Sequence, residues 1–157
     1  MQIAKENEEL HIYGDGGYRE ELESLCRSNE NVIYHGNVLN SVVVEAELDA
    51  ALLVNPRPAE GEFTKYSFPS KTMEYMASGT PVAMTGLPGM PPEYRDYVDL
   101  FASGAVADIA AKLREILDRS PMALQEQGQR AKEFVLREKT NVKQAAKALQ
   151  FIETQGW

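Results

Sequence analysis

An α/β fold is what this sequence predicts: a Rossmann-like, doubly wound, mainly parallel sheet followed by C-terminal helices. Three observations lead there. Five short runs stand at 10–13, 32–35, 50–54, 81–85 and 98–101; most are too brief and too apolar to be exposed, and suit parallel strands covered on both faces. Helical spacing recurs between them, and alternation of strand and helix implies parallel pairing. Past residue 105 the pattern is helical only. With 157 residues the chain can bury a sizeable core, so 1–157 is expected to be one domain.

The elements follow in order. Residues 1–9 read as the tail of a helix running straight into the first strand, which leads us to expect a preceding strand outside this chain and a larger parent protein. Gly14-Asp15-Gly16-Gly17 then turns the chain into a helix at 18–27, with Leu22 and Leu25 at helical spacing. The strand at 32–35 ends on Gly36-Asn37. A short helix is expected at 41–47, against the β preference of its three valines. The connection from Asn55 to Ser67 is long for a strand-to-helix loop, where about two to six residues is usual. Pro69 opens a helix at 69–78 and Gly79 stops it. After the strand at 81–85, Pro88, Pro91 and Pro92 stiffen a loop. Val106, Ile109, Ala110, Leu113, Ile116 and Leu117 form one helical stripe. Ser120-Pro121 breaks it, and helices are expected at 122–136 and 141–154, with Phe134, Val142, Ala146, Leu149 and Ile152 as packing positions.

Composition removes several function classes. A net charge of −8 argues against a broad nucleic-acid surface, which needs a basic field, but leaves room for one small phosphate site. Cys26 is the single cysteine, so no internal disulfide forms; a small buried apolar role and a reducing compartment fit it best. Residues 1–9 are charged and lack the apolar core of a signal peptide. No apolar run approaches the roughly 18 residues of a membrane span. His11 and His35 have no companions at metal-ligand spacing, so no metal site is expected.

Ligands of such folds bind at the carboxyl ends of the strands. That rule puts Gly14 to Gly17, Gly36-Asn37, Asn55-Pro56-Arg57 and the approach to Pro69 on one rim. The run from Tyr66 to Val82 is the most informative. A helix N-terminus offers unpaired N–H groups and the positive end of its dipole to phosphate. Lys71 adds a full charge there, and Glu74, three residues on, lies on the same face and can accept hydrogen bonds from a sugar. The alternative is a solvated ion pair. The Gly14 turn lacks the third glycine of a dinucleotide fingerprint and reads equally as a tight turn. Arg57 can reach a diphosphate or pair with Glu60 or Glu62. Glu93 can meet a hydroxyl or stand as a solvated acid.

These residues resemble the C-terminal, donor-binding domain of family 4 glycosyltransferases of the two-domain GT-B fold, in the branch that builds capsular and other surface polysaccharides. The resemblance rests on Leu-His-Ile-Tyr-Gly-Asp-Gly at 10–16, Tyr-His-Gly-Asn at 34–37, Val-Asn-Pro-Arg at 54–57, Lys-Tyr-Ser-Phe-Pro-Ser-Lys-Thr-Met-Glu-Tyr-Met at 65–76 and Ser-Gly-Thr-Pro-Val at 78–82. It implies transfer of a hexose from a nucleotide diphosphate-sugar with retention, without an obligatory metal or other cofactor. The acceptor, a glycan or lipid-linked sugar, would be held by an N-terminal domain outside this chain, in the cytoplasm or at the inner face of the cell membrane. Glu74 would hold the ribose, and Ser70 and Lys71 the diphosphate or donor sugar, within a donor segment that includes Tyr66, Ser67 and Phe68. Gly14 and Gly16 would flank the diphosphate, Gly36, Asn37 and Val38 would lie by the base, and Arg57 would complete the donor set. No catalytic residue is assigned. Many members carry Glu eight positions before the ribose Glu; Tyr66 stands there, leaving Glu62 or backbone groups for the sugar. The basic pair that follows the domain's first strand is missing with that strand, so a gap in the sheet, or an N-terminal segment supplied otherwise, is expected. A nucleotide-sugar epimerase or phosphorylase, or a non-catalytic nucleotide-binding module, would fit the same scaffold.

Overall fold

A computed structural model describes Lys5 and residues 7–155. The chain falls into two compact units, one ending at Ala46 and the other beginning at Glu47. Of the helix tail expected over 1–9, residues 1–4 and 6 lie outside the described residues. Glu8 closes a turn by donating its N–H to the Lys5 carbonyl at 3.0 Å.

In the first unit β1 (Leu10–Tyr13) and β2 (Val32–Gly36) pair in parallel, connected by α1 (Arg19–Ser28). Leu10 lies opposite Val32, and a register shift between Ile12 and Tyr13 brings Tyr13 against Gly36. No residue of α1 is fully buried. Cys26 is therefore half-buried, not enclosed as the sequence suggested. The following helix, α2 (Asn40–Asp49), crosses the boundary between the units. It forms over ten residues despite its valines; propensity is a weak prior that context overrides.

The second unit is built on β3 (Leu53–Asn55), β4 (Val82–Thr85) and β5 (Asp99–Phe101), parallel and in that spatial order. Leu53 pairs with Val82, and Ala83 with Asp99. All four residues of β4 are buried, and their alternation explains why. Val82 and Met84 enter a core with Met76 of α3 (Ser70–Ser78) and with Ala131, Phe134 and Val135 of α5 (Pro121–Glu138). Ala83 enters a second core with Phe101 and with Ile116 of α4 (Val106–Leu117). Helices thus cover β4 from both sides, the doubly wound arrangement the sequence predicts. Among the described residues the five strands form two ladders, β1–β2 and β3–β4–β5.

Local chemistry sets the ends of the helices. Gly79 takes φ 89° after α3, a left-handed conformation that stops a helix without a Cβ clash. The Ser120 hydroxyl accepts the Ala123 N–H at the start of α5, and Thr140 does the same with Lys143 for α6 (Asn141–Thr154). Phe134 is buried as expected, but Val142, Ala146, Leu149 and Ile152 are not. No residue of α6 is buried, because no described element covers its apolar stripe.

The loop from β3 to α3 is ordered. It contains a 3-10 turn at Glu62–Lys65 in which Thr64 is buried, its hydroxyl 2.8 Å from the Ala59 carbonyl oxygen and 2.6 Å from that of Gly61. The Gly89 N–H donates to the Thr64 carbonyl at 3.0 Å, joining the loops that follow β3 and β4.

Candidate functional site

α3 begins at the rim, where the chain returns after the carboxyl end of β3. Pro69 precedes it in extended geometry, and no side chain caps the helix. The Thr72 N–H donates to the Pro69 carbonyl at 3.0 Å, which leaves the N–H groups of Ser70 and Lys71 for solvent or an anion. Ser70 and Lys71 are exposed at this end.

Lys71 stands between two carboxylates. Its Nζ lies 3.1 Å from Glu74 Oε2 and 3.5 Å from Glu47 Oε1. Glu74 and Lys71 are 37% and 45% exposed at the side chain, whereas Glu47 is 6% exposed. The Tyr75 ring centroid is 5.8 Å from the ammonium. Burial pushes the Glu47 carboxyl above its usual range, and the charge of Glu74 adds to that; Lys71 opposes both. For Lys71, burial favours the neutral amine, but hydrogen bonding and charge from Glu74, with the charge of Glu47, outweigh it and raise its pKa. Lys71 is therefore a firm cation at neutral pH. The pair is neither sealed inside nor freely solvated.

Around this corner Ser67 has a buried hydroxyl with no hydrogen-bond partner among the described residues. Phe68 packs on Tyr94, with ring centroids 4.4 Å apart, so it braces the approach to α3 from the core side. Tyr66 is 84% exposed. Arg57 forms no ion pair with Glu60 or Glu62 among the described residues; its guanidinium lies 5.4 Å from the Phe63 ring centroid. Glu93 is neither free nor at the corner, because Lys139 Nζ holds it at 2.7 Å. Two hollows of this unit run along α5, one at Met122, Gln125 and Arg130 and one at Tyr97, Glu133 and Arg137, and neither touches the start of α3.

In the first unit the two glycine turns adjoin. The Gly14 N–H donates to the Gly36 carbonyl at 2.8 Å, and the Tyr34 hydroxyl donates to the Gly14 carbonyl at 2.9 Å. Gly14 adopts φ 116°. Gly16 donates its N–H to Asp15 Oδ1, and both Gly16 and Asn37 are exposed while Val38 is half-buried. Among the described residues no three His, Cys, Asp or Glu side chains gather as a metal site. No described helix is long and apolar enough to cross a membrane.

Glu47 is the residue that sequence reading missed. In a valine-rich helix it reads as the solvent-facing polar position, and nothing in its spacing marks it as buried beside Lys71.

The chain belongs to the glycosyl transferases group 1 family, whose model matches residues 1–119. Its fold is similar to that in a structure titled "Crystal Structure of TarM", with a TM-score of 0.69 and 20% identity over 90% of this chain. The chain spans 28% of the length of that structure. Among curated proteins no match is found.

Proposed function

We propose that this chain is the donor-binding half of a retaining hexosyltransferase of family 4, in the surface-polysaccharide branch. The observation that carries the reading is the Lys71–Glu74 pair, partly exposed at the uncapped start of α3. The helix end and Lys71 neutralise the diphosphate of a nucleotide diphosphate-sugar without a metal, and Glu74 accepts hydroxyl donors of its pentose. Ser70 adds an exposed hydroxyl, Ser67 lies on the approach to α3, and Arg57 is a further cation on the same loop. On this reading Gly14, Gly16, Gly36, Asn37 and Val38 serve the diphosphate and base. The acceptor, a glycan or lipid-linked sugar, is held by an N-terminal domain outside this chain. The reaction runs in the cytoplasm, where a lipid-linked acceptor would place it at the inner face of the membrane. On this reading the donor-binding half by itself transfers nothing, because the acceptor is bound elsewhere.

Calorimetric titration of the full-length protein with UDP, GDP and ADP tests this. Binding of one of them, weakened in Glu74→Ala, is expected. Absence of binding, or binding indifferent to Glu74→Ala, overturns the reading.

A second reading, a nucleotide-binding module without transfer, is favoured by the exposed Tyr66 at the position where many members carry a sugar-contacting Glu. Consumption of a nucleotide-sugar in the presence of acceptor excludes it. Conversion of the sugar with no acceptor present would instead mark an epimerase.

A further inference from the structure

We infer that Glu47 is a positioning residue that holds Lys71 on the anionic part of the ligand while Glu74 turns to the pentose. The inference rests on the donor-binding reading above and assigns a role to a carboxylate outside the motif at 65–76.

Three observations support it. First, the Glu47 side chain is 94% covered, yet it carries an ionisable group. Burying a carboxylate is costly unless it is paired, and an apolar side chain of similar volume would usually serve stability as well or better. Second, among the described residues Lys71 is the one group that meets this carboxylate, at 3.5 Å. Third, its backbone is fixed. The Thr80 hydroxyl, itself buried just ahead of β4, donates to the Glu47 carbonyl at 2.6 Å. A buried acid on an anchored backbone thus stands behind a half-exposed lysine.

The asymmetry of the two carboxylates gives the division of labour. Glu74, more than a third exposed, can rotate away from Lys71 to meet a hydroxyl. Glu47 is enclosed and cannot reach a ligand in solvent. When a diphosphate draws on Lys71, Glu74 is released, and the Glu47 charge keeps the ammonium from following the ligand out or folding back along α3. The titratable groups facing Glu47 are Lys71, Glu74 and Tyr75, all on α3.

This makes a prediction of sign. If Glu47 were only a nearby negative charge, its removal would tighten binding of an anion. If it positions Lys71, removal weakens binding despite the lost repulsion. Full-length wild type, Glu47→Leu, Lys71→Met and the double variant are titrated with UDP, GDP and ADP, with thermal unfolding of each recorded alongside. Glu47→Leu is expected to fold and to bind about tenfold more weakly, the size of one hydrogen bond to a charged group. In the Lys71→Met background Glu47→Leu should cost nothing more, because its effect runs through the lysine. Glu47→Gln, which keeps an acceptor for Lys71, should retain part of the affinity. Equal or tighter binding by Glu47→Leu, or an undiminished loss in the double variant, overturns the inference while leaving the donor site standing. Failure of the wild type to bind any of the three overturns both.

Discussion

Gly128 of α5 lies so close to Gly79 that a Cβ on it would stand 1.9 Å from the Gly79 carbonyl oxygen. Glycine in mid-helix lowers helix stability, and here it lets α5 press directly on the turn that ends α3. The turn cannot yield easily, since Gly79 is already held in the left-handed region. Gly128→Ala is therefore expected to push the helices apart and to destabilise the protein by about 3 kcal/mol, the upper range for overpacking. Urea unfolding would read this as a lower midpoint with an unchanged slope.

Acid should weaken the second unit through Asp99. This carboxylate is buried at the start of β5, and burial alone would raise its pKa. Arg119 holds it in a fork at 2.8 Å on each oxygen, Gln127 donates at 2.8 Å, and Lys112 lies at 3.3 Å; together they hold it below the ordinary value of 3.8. A depressed carboxyl contributes stability that is complete above its unfolded pKa and is lost as pH falls through the folded one. Unfolding midpoints measured from pH 5 down to pH 2 should fall below pH 4. Asp99→Asn should flatten that limb and cost about 3 kcal/mol at neutral pH, because Arg119 loses its buried charge partner and keeps only Glu115 and Gln127.

Glu47 has the opposite sign. Its raised pKa means that the folded state binds the proton more tightly, so its stabilising effect is present below 4.5 and fades as pH rises through the higher folded value. Glu47→Leu is expected to match or exceed the wild type in stability near neutral pH, by about 1 kcal/mol, while binding nucleotide less well. Thermal unfolding at pH 7.5 and at pH 4 checks this: the difference between the proteins should shrink in acid.

Glu74 and Lys71 can be separated by ligand. Lys71→Met should weaken pyrophosphate and nucleoside diphosphate alike. Glu74→Ala should weaken the nucleoside diphosphate by about tenfold, the size of a charged hydrogen bond. It should leave pyrophosphate, which has no pentose, unaffected or slightly tighter. Competition titrations with both ligands measure the contrast.

Much of the frame could be read from the residues. β4 appears in the sequence as an uninterrupted apolar run because both of its faces are covered, and α3 is bracketed by Pro69 and Gly79, whose backbone limits are local. Properties that depend on a distant neighbour were not legible. Gly128 looks like a poor helix former until Gly79 is beside it. Glu47 looks solvated until α3 covers it. Arg57 offers two acidic partners in sequence, and takes the Phe63 ring instead. The stripe on α6 has the spacing of a packing face, but spacing carries no information on whether anything packs there. Of the candidate corner, the placement of Lys71 and Glu74 together on α3 was readable, and the buried Glu47 beside them was not.

The main-chain tie between Gly89 and Thr64 has a mechanical consequence. Two segments that leave neighbouring strands meet backbone to backbone there, with no room for a Cβ at Gly89. A shift of the segment ahead of α3 would therefore be felt, through that bond, in the proline-rich span ahead of β5.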